Sequence, residues 1–274
     1  MSGMEQVMIH SSSFLLPSIP ADEASAYAIV VLNQNLPRFT PLLWEHEQQN
    51  SVFVLMEALI ASTMSYLSSS LTKTLSSSVT EVVLRMYVNV FRYKPDVIKG
   101  DMDSIRPDVL NFYGTKVIDE SHDQDTTDLD KCILFIRDST LNQESCRLQI
   151  LATGALGGRF DHEAGNLNVL YRYPDTRIIL LSDDCLIQLL PKTHRHEIRV
   201  QPSLQGPHCG LIPIGAPSAK TTTTGLQWDL NDTEMRFGGL VSTSNMVKGE
   251  KITVESDSDL LWTISIKKQD SPRP

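Results

Sequence analysis

The 274-residue chain has no block of lysines and arginines. With 24 basic against 33 acidic side chains and a formal charge of −9, it lacks the electrostatic footprint of a nucleic-acid binder or a polybasic membrane anchor. Any anionic partner must therefore be met by a local site. No C-x-x-C pair occurs: Cys132, Cys146, Cys185 and Cys209 are widely spaced, which argues against a zinc site or a redox motif. With no secretory signal, a reduced compartment is expected. The apolar runs are too short and too broken to cross a bilayer. Residues 1–20 carry Glu5 and lack the basic start of a signal peptide, so they read as a loose tail and the expected location is the cytosol. No glycine-rich turn is followed by G-K-[ST], which excludes a Walker A loop.

What is present is an ordinary globular composition, 41% hydrophobic and 21% charged. Tyr27-Ala28-Ile29-Val30-Val31-Leu32 is a short apolar run suited to a strand buried on both faces, and it ends at Asn33-Gln34. Asp96 to Gly100 and Leu148 to Gly154 are further short strands, each ending at a glycine-bearing loop. Between them, Leu129, Cys132, Ile133 and Ile136 have helical spacing. Strands alternating with helices predict a parallel α/β sheet, with the site at the strands' carboxyl ends. After about Asp183 the pattern becomes short strands punctuated by Gly and Pro, as in a β-sandwich. The predicted fold is α/β, an N-terminal parallel-sheet domain over residues 21–183 followed by a smaller all-β sandwich over residues 184–270.

The chemistry concentrates at three places. Lys99-Gly100-Asp101-Met102-Asp103-Ser104 sets two carboxylates in a tight loop after a strand, and hard oxygen ligands of this kind suit Mg²⁺. His122-Asp123-Gln124-Asp125-Thr126-Thr127-Asp128 runs directly into a helix, where Thr127 or Asp125 can cap free backbone N–H groups and Asp128 can face the same cleft as Asp101 and Asp103. Thr153-Gly154-Ala155-Leu156-Gly157-Gly158-Arg159-Phe160-Asp161 is a glycine-rich strand-to-helix turn whose amides can approach phosphate. Arg159 can grip phosphate oxygens there, and Asp161 can hold metal or accept a hydroxyl proton. Taken alone, His194 and His196 read as surface histidines.

Six ordered blocks carry a family resemblance: Leu32-Asn33-Gln34, Gly100 to Ile105, Asp123 to Asp128, Gly154 to Asp161, Thr222-Thr223-Thr224-Gly225-Leu226-Gln227-Trp228, and Ser242-Thr243-Ser244-Asn245. In this order and spacing the chain resembles thiamine pyrophosphokinases, plant-type members most closely, over residues 27–44 and 92–268. The resemblance implies an ATP-dependent transferase acting on thiamine, and a homodimer whose substrate sites lie between the α/β domain of one subunit and the sandwich of the other. It implies that Asp101, Asp103 and Asp128 hold Mg²⁺ and the ATP phosphates, and that Asn33, Gln34, Gly157, Gly158 and Arg159 border the nucleotide. Asp161 would lie by the reacting hydroxyl. Trp228 would stack on thiamine, with Ser242, Ser244 and Asn245 near its pyrimidine. Two other readings compete: a Mg²⁺-dependent phosphatase or diphosphohydrolase, and a catalytically impaired thiamine- or nucleotide-binding paralogue.

One segment departs from the family. Cys-Ala-Asp-Gly-Gly-Ala-Asn-Arg, which members carry shortly after the Leu-Trp matching Leu43-Trp44, is missing, and a Ser/Leu-rich stretch over residues 51–90 stands in its place. Val54 to Ala61 can be encoded GTG CTG ATG GAG GCG CTA ATC GCA. Read two bases along, that string gives Ala-Asp-Gly-Gly-Ala-Asn-Arg, and Phe53 permits the missing Cys. We therefore read residues 51–90 as a frame-shifted family segment, with the frame restored before Arg92. A shifted segment discards the family's hydrophobic pattern, so this stretch is expected to be poorly packed or helical, and activity to be weak or absent.

Overall fold

The computed structural model describes residues 6–16, 27–32, 52–56, 96–100, 116–123, 125–140 and 148–267. The first strand, β1 (Val7–Ser11), lies within the stretch expected to be a loose tail. Two compact units form, one from Ser25–Asn166 and the other from Met1–Ala24 with Leu167–Pro274.

In the Ser25–Asn166 unit, β2 (Tyr27–Val31), β3 (Val52–Met56), β4 (Val97–Gly100), β5 (Lys116–Asp119) and β6 (Gln149–Thr153) pair in parallel in the order β6-β2-β3-β4-β5. All five residues of β2 are buried, as a continuous apolar run in the middle of a parallel sheet requires. The helix α1 (Asp128–Thr140) packs against β2, β3 and β4. Its face is the one expected: Leu129, Cys132, Ile133 and Ile136 are all fully buried. A second helix, α2 (Phe160–Arg172), starts after β6, and the division between the units falls within it.

Strand β3 corrects part of the expectation for residues 51–90. Val52-Phe53-Val54-Leu55-Met56 inserts between β2 and β4, with Ala28 opposite Val52 and Leu55 opposite Ile98. Three β-branched or aromatic residues among these five suit a pleated strand. Residues 57–90 lie outside the described residues.

The other unit is built from strands. Following β7 (Arg177–Leu181), β8 (Cys185–Leu190), β9 (Arg195–Arg199), β10 (Gln205–Ile212), β11 (Ser218–Thr224), β12 (Thr233–Met235), β13 (Ser242–Met246), β14 (Lys251–Ser256) and β15 (Leu260–Ile266), one set runs β1-β9-β14-β11-β12 and the other β7-β8-β15-β10-β13. The pairings are antiparallel except that of β1 with β9, which is parallel from Val7 opposite Arg195 to Ser11 opposite Arg199. In β15, Leu260, Leu261, Trp262 and Ile264 are almost completely buried, so the first half of the strand is covered on both faces.

The N-terminal stretch is thus not a loose tail. Phe14 and Leu15 follow β1 in a buried 3₁₀ turn, and Gln205 Nε2 donates to Ser12 Oγ at 3.0 Å. Among the described residues no helix is long and apolar enough to cross a membrane. Overall the described residues are mostly β-sheet, with two α-helices.

Candidate functional site

At the carboxyl end of β4, Lys99 is 6% exposed and its ammonium donates to Glu120 Oε1, just past β5. The Lys99 ammonium also lies 5.8 Å from the centre of the Phe135 ring on α1. Asp101 and Asp103 follow immediately in sequence and lie outside the described residues, as do Asn33 and Gln34 at the end of β2.

The acidic turn before α1 divides into structural and exposed carboxylates. Asp123 Oδ1 accepts from the backbone N–H groups of Asp125 and Thr126 at 3.0 and 3.1 Å, and its other oxygen accepts from the Thr126 hydroxyl. The Thr126 bond, ahead of the backbone bonds, holds the Asp123 carboxyl below its ordinary range. Thr127 Oγ1 accepts from Asp130 N at 3.2 Å, while Asp130 Oδ2 accepts from the Thr127 hydroxyl at 3.1 Å and from Thr127 N at 3.4 Å. This reciprocal capping pair makes Thr127 the helix cap. Asp128, by contrast, sits on the exposed face of the first turn, where a carboxylate also complements the helix dipole. Among the described residues no three His, Cys, Asp or Glu side chains cluster as a metal site.

The glycine-rich turn after β6 is tightly organised. Gly157 takes φ +93°, a conformation that costs glycine little, and it turns successive amides to one side. Gly157 N and Gly158 N both donate to Glu163 Oε1, at 2.8 and 2.9 Å. Arg159 Nε donates to Asp161 Oδ1 at 3.0 Å and its Nη2 to Oδ2, a two-pronged ion pair between exposed side chains. The Arg159 hydrogen bond is the chief cause that lowers the Asp161 carboxyl below its usual range. Behind the turn, Asn166 Nδ2 donates to Ala155 O at 2.8 Å, fixing α2 to the loop. Glu163 was not anticipated from the sequence.

In the strand-built unit, the structure brings Trp228, Ser242 and Asn245 together. Trp228 is 59% exposed. Asn245 is buried: its Oδ1 accepts from Trp228 N at 3.2 Å and Met246 N at 2.8 Å, and its Nδ2 donates to Trp228 O at 2.9 Å and Ser242 Oγ at 3.3 Å. Ser244 takes the left-handed conformation, φ 57°, and faces solvent. Gly225 turns the chain at φ +91°, where an added Cβ would lie 2.6 Å from Lys251 O. Asp229 was missed in sequence; its Oδ1 accepts from Thr223 Oγ1 and Leu226 N, both at 3.0 Å, and its Oδ2 from Gly225 N at 3.2 Å. The D after G-L-Q-W was the available signal, since a carboxylate two to four residues beyond a glycine turn can collect its free amides.

His196 is not a surface residue: it is 2% exposed and bonded to His10 of β1, whereas the neighbouring His194 is half-buried. Among the described residues, Cys132, Cys185 and Cys209 form no disulfide.

Two family models match: the thiamin pyrophosphokinase catalytic domain over residues 78–180 and the thiamin pyrophosphokinase vitamin B1 binding domain over residues 195–261. The chain is 71% identical to thiamine pyrophosphokinase 1 of Arabidopsis thaliana over 279 aligned residues, covering 98% of this chain and 96% of the relative. Against thiamine pyrophosphokinase 1 of Oryza sativa the identity is 55%, covering 95% and 98%. The crystal structure of yeast thiamin pyrophosphokinase superposes with a TM-score of 0.74 at 20% identity, covering 97% of this chain and 92% of that one, a likeness of fold. Identity at this level along almost the whole of both chains establishes that this chain belongs to the thiamine pyrophosphokinase family.

Proposed function

We propose that the chain transfers the diphosphate of ATP to the hydroxyl of thiamine, giving thiamine diphosphate and AMP. The observation that carries this is the near-full-length 71% identity to a plant thiamine pyrophosphokinase. The two family matches support a catalytic α/β domain over residues 21–183 and a thiamine-binding β-sandwich over residues 184–270. A homodimer in the cytosol completes the reading.

The thiamine hydroxyl attacks the β-phosphorus, the new O–P bond forms as the bond to the α-phosphate oxygen breaks, and AMP leaves. Such a transfer asks of a protein mainly positioning and charge neutralisation. Asp101, Asp103 and Asp128 would hold Mg²⁺; the fit rests on their chemistry, hard carboxylate oxygens of which Asp128 stands on an exposed helix turn. Bound there, the ion would neutralise phosphate charge. Gly157, Gly158 and Arg159 bind phosphate oxygens, with Asn33 and Gln34 beside the nucleotide. Asp161, held well ionised by Arg159, orients the attacking hydroxyl rather than storing its proton. Trp228 stacks on thiamine, a role consistent with an indole exposed over a backbone that Asn245 anchors. Ser242 and Ser244 line the pyrimidine side with Asn245.

The catalytic-domain match begins at residue 78 and leaves residues 51–77 outside it; a frame-shifted segment there would reduce turnover. The test is to incubate the purified chain with thiamine, ATP and Mg²⁺ and to quantify AMP and thiamine diphosphate together. Equal amounts of both support the transferase. Phosphate release without thiamine supports a hydrolase instead, and ligand-dependent melting without turnover supports an impaired binder.

A further inference from the structure

We infer that Glu163 is a phosphate stand-in: its carboxylate occupies the Gly157 and Gly158 amides while the nucleotide site is empty and leaves them when a phosphate arrives. The inference rests on the reading of that turn as the nucleotide site. Two consecutive amides converge on one oxygen, Glu163 Oε1, at 2.8 and 2.9 Å, the arrangement by which backbone N–H groups hold a phosphate oxygen. The other cationic element of the turn is occupied in the same way, Arg159 by Asp161. Both anion-binding groups of the loop are thus satisfied by carboxylates from the first turn of α2.

The exchange is chemically reasonable. Glu163 is only half-buried, and it reaches back from the helix to amides five and six residues earlier. It can swing into water at small cost, whereas Asn166, bonded to Ala155 O, keeps the loop in register when it does. The carboxylate therefore preserves the amide geometry and at the same time competes with the ligand. Competition makes a prediction opposite to that for a residue that merely supports the loop: weakening Glu163 should strengthen nucleotide binding.

Glu163→Gln keeps an acceptor of the same size and removes the charge, so the carboxylate's charge-assisted bonds become ordinary ones of about half the strength. The probe is Mg²⁺ with α,β-methylene-ATP, whose β,γ-diphosphate cannot be transferred with loss of AMP, and binding is followed by calorimetry. Glycine-selective ¹⁵N labelling reads the Gly157 and Gly158 amides directly. The expected result is roughly three- to tenfold tighter binding by the variant. In turnover, KM for ATP should fall by a similar factor while kcat and KM for thiamine change less than twofold. In wild type, the two glycine amide signals should move on adding the analogue, and in the variant they should already be displaced before it is added. Equal or weaker binding by the variant, or a fall in kcat with KM for ATP unchanged, would overturn the stand-in role and leave the nucleotide reading intact. Wild type that binds the analogue without any shift at Gly157 and Gly158 would overturn the nucleotide reading of the loop and the stand-in with it, as would wild type that does not bind it.

Discussion

Asn245 grips Trp228 by its main chain at two points, accepting from its N–H and donating to its C=O, while the indole itself stands in solvent. The carboxamide is the one side chain of its size that can do both with a single planar group. Asn245→Ala breaks both bonds and leaves a buried loop underpaired, at a cost of about 1–3 kcal/mol of stability. With the indole no longer aimed, KM for thiamine should rise roughly tenfold, the equivalent of ~1.4 kcal/mol, with kcat less affected. Asn245→Asp should be worse, because a carboxylate would face the Trp228 carbonyl. Steady-state kinetics in thiamine and urea unfolding of the three proteins check this; a Trp228→Phe variant that retains most of the affinity would support stacking as the role of the ring.

Acid should weaken the strand-built unit between pH 6.5 and pH 4. His196 Nε2 donates to Pro191 O at 2.9 Å, which leaves Nδ1 to accept from His10 Nε2 at 2.9 Å. Burial is the chief reason that His196 is pushed down to about 4 and that His10 lies well below its ordinary value, with Arg177 the next cause at His10. The unfolded chain takes up these protons near pH 6.5 and the folded chain does not, so stability rises with pH across the window and falls as pH drops toward 4. The His196 share is on the order of 2–3 kcal/mol. Urea midpoints measured at half-unit intervals should decline over this range, and a His10→Gln, His196→Gln double variant should decline less.

Removing the carboxylate that meets Lys99 should cost more than removing both partners. The Lys99 side chain is 7% exposed and that of Glu120 22%. Glu120→Gln leaves a buried cation facing a neutral amide, with an expected loss of about 2–4 kcal/mol, while Lys99→Met with Glu120→Leu should recover at least half of it. Because Lys99 is the penultimate residue of β4, two positions before Asp101, the single variant should also lower turnover under saturating Mg²⁺. Paired stability and rate measurements on the wild type and these two variants decide it.

Replacing residues 51–90 by the family segment containing Ala-Asp-Gly-Gly-Ala-Asn-Arg should raise diphosphate transfer at least roughly tenfold, since a glycine-bearing phosphate loop returns beside β2. Sequencing the transcript across the same stretch tests the origin of the segment. A message without a shift relative to close relatives would remove the explanation, and an unaltered rate after replacement would remove the consequence.

Local order was legible in the sequence where the physical cause was local. The face of α1 followed from the spacing of Leu129, Cys132, Ile133 and Ile136, and its cap was narrowed to Thr127 or Asp125, of which the structure uses Thr127. The glycine turn, its position after a strand, and the nearness of Arg159 and Asp161 needed only a few consecutive residues. What escaped reading was set by partners far off in the chain. His196 looked like a surface residue because its bond to His10 spans 186 positions, and β1 looked like a tail because five mixed residues become a strand only beside β9. Glu163 escaped for a different reason: its role lies in two backbone N–H groups, which every residue but proline carries and which no residue pattern marks.

The parallel pairing of β1 with β9 sets an order on synthesis. Residues 7–11 leave the ribosome early, yet Arg195–Arg199 and the strand beyond it, Lys251–Ser256, are among the later parts to emerge. Throughout that interval the first strand has no edge to join, while the segment from Ser25 to Asn166 can close its own parallel sheet. The nascent chain therefore carries an unpaired, partly apolar first strand while the Ser25–Asn166 segment folds, and that strand gains its edge only once Arg195–Arg199 has been made.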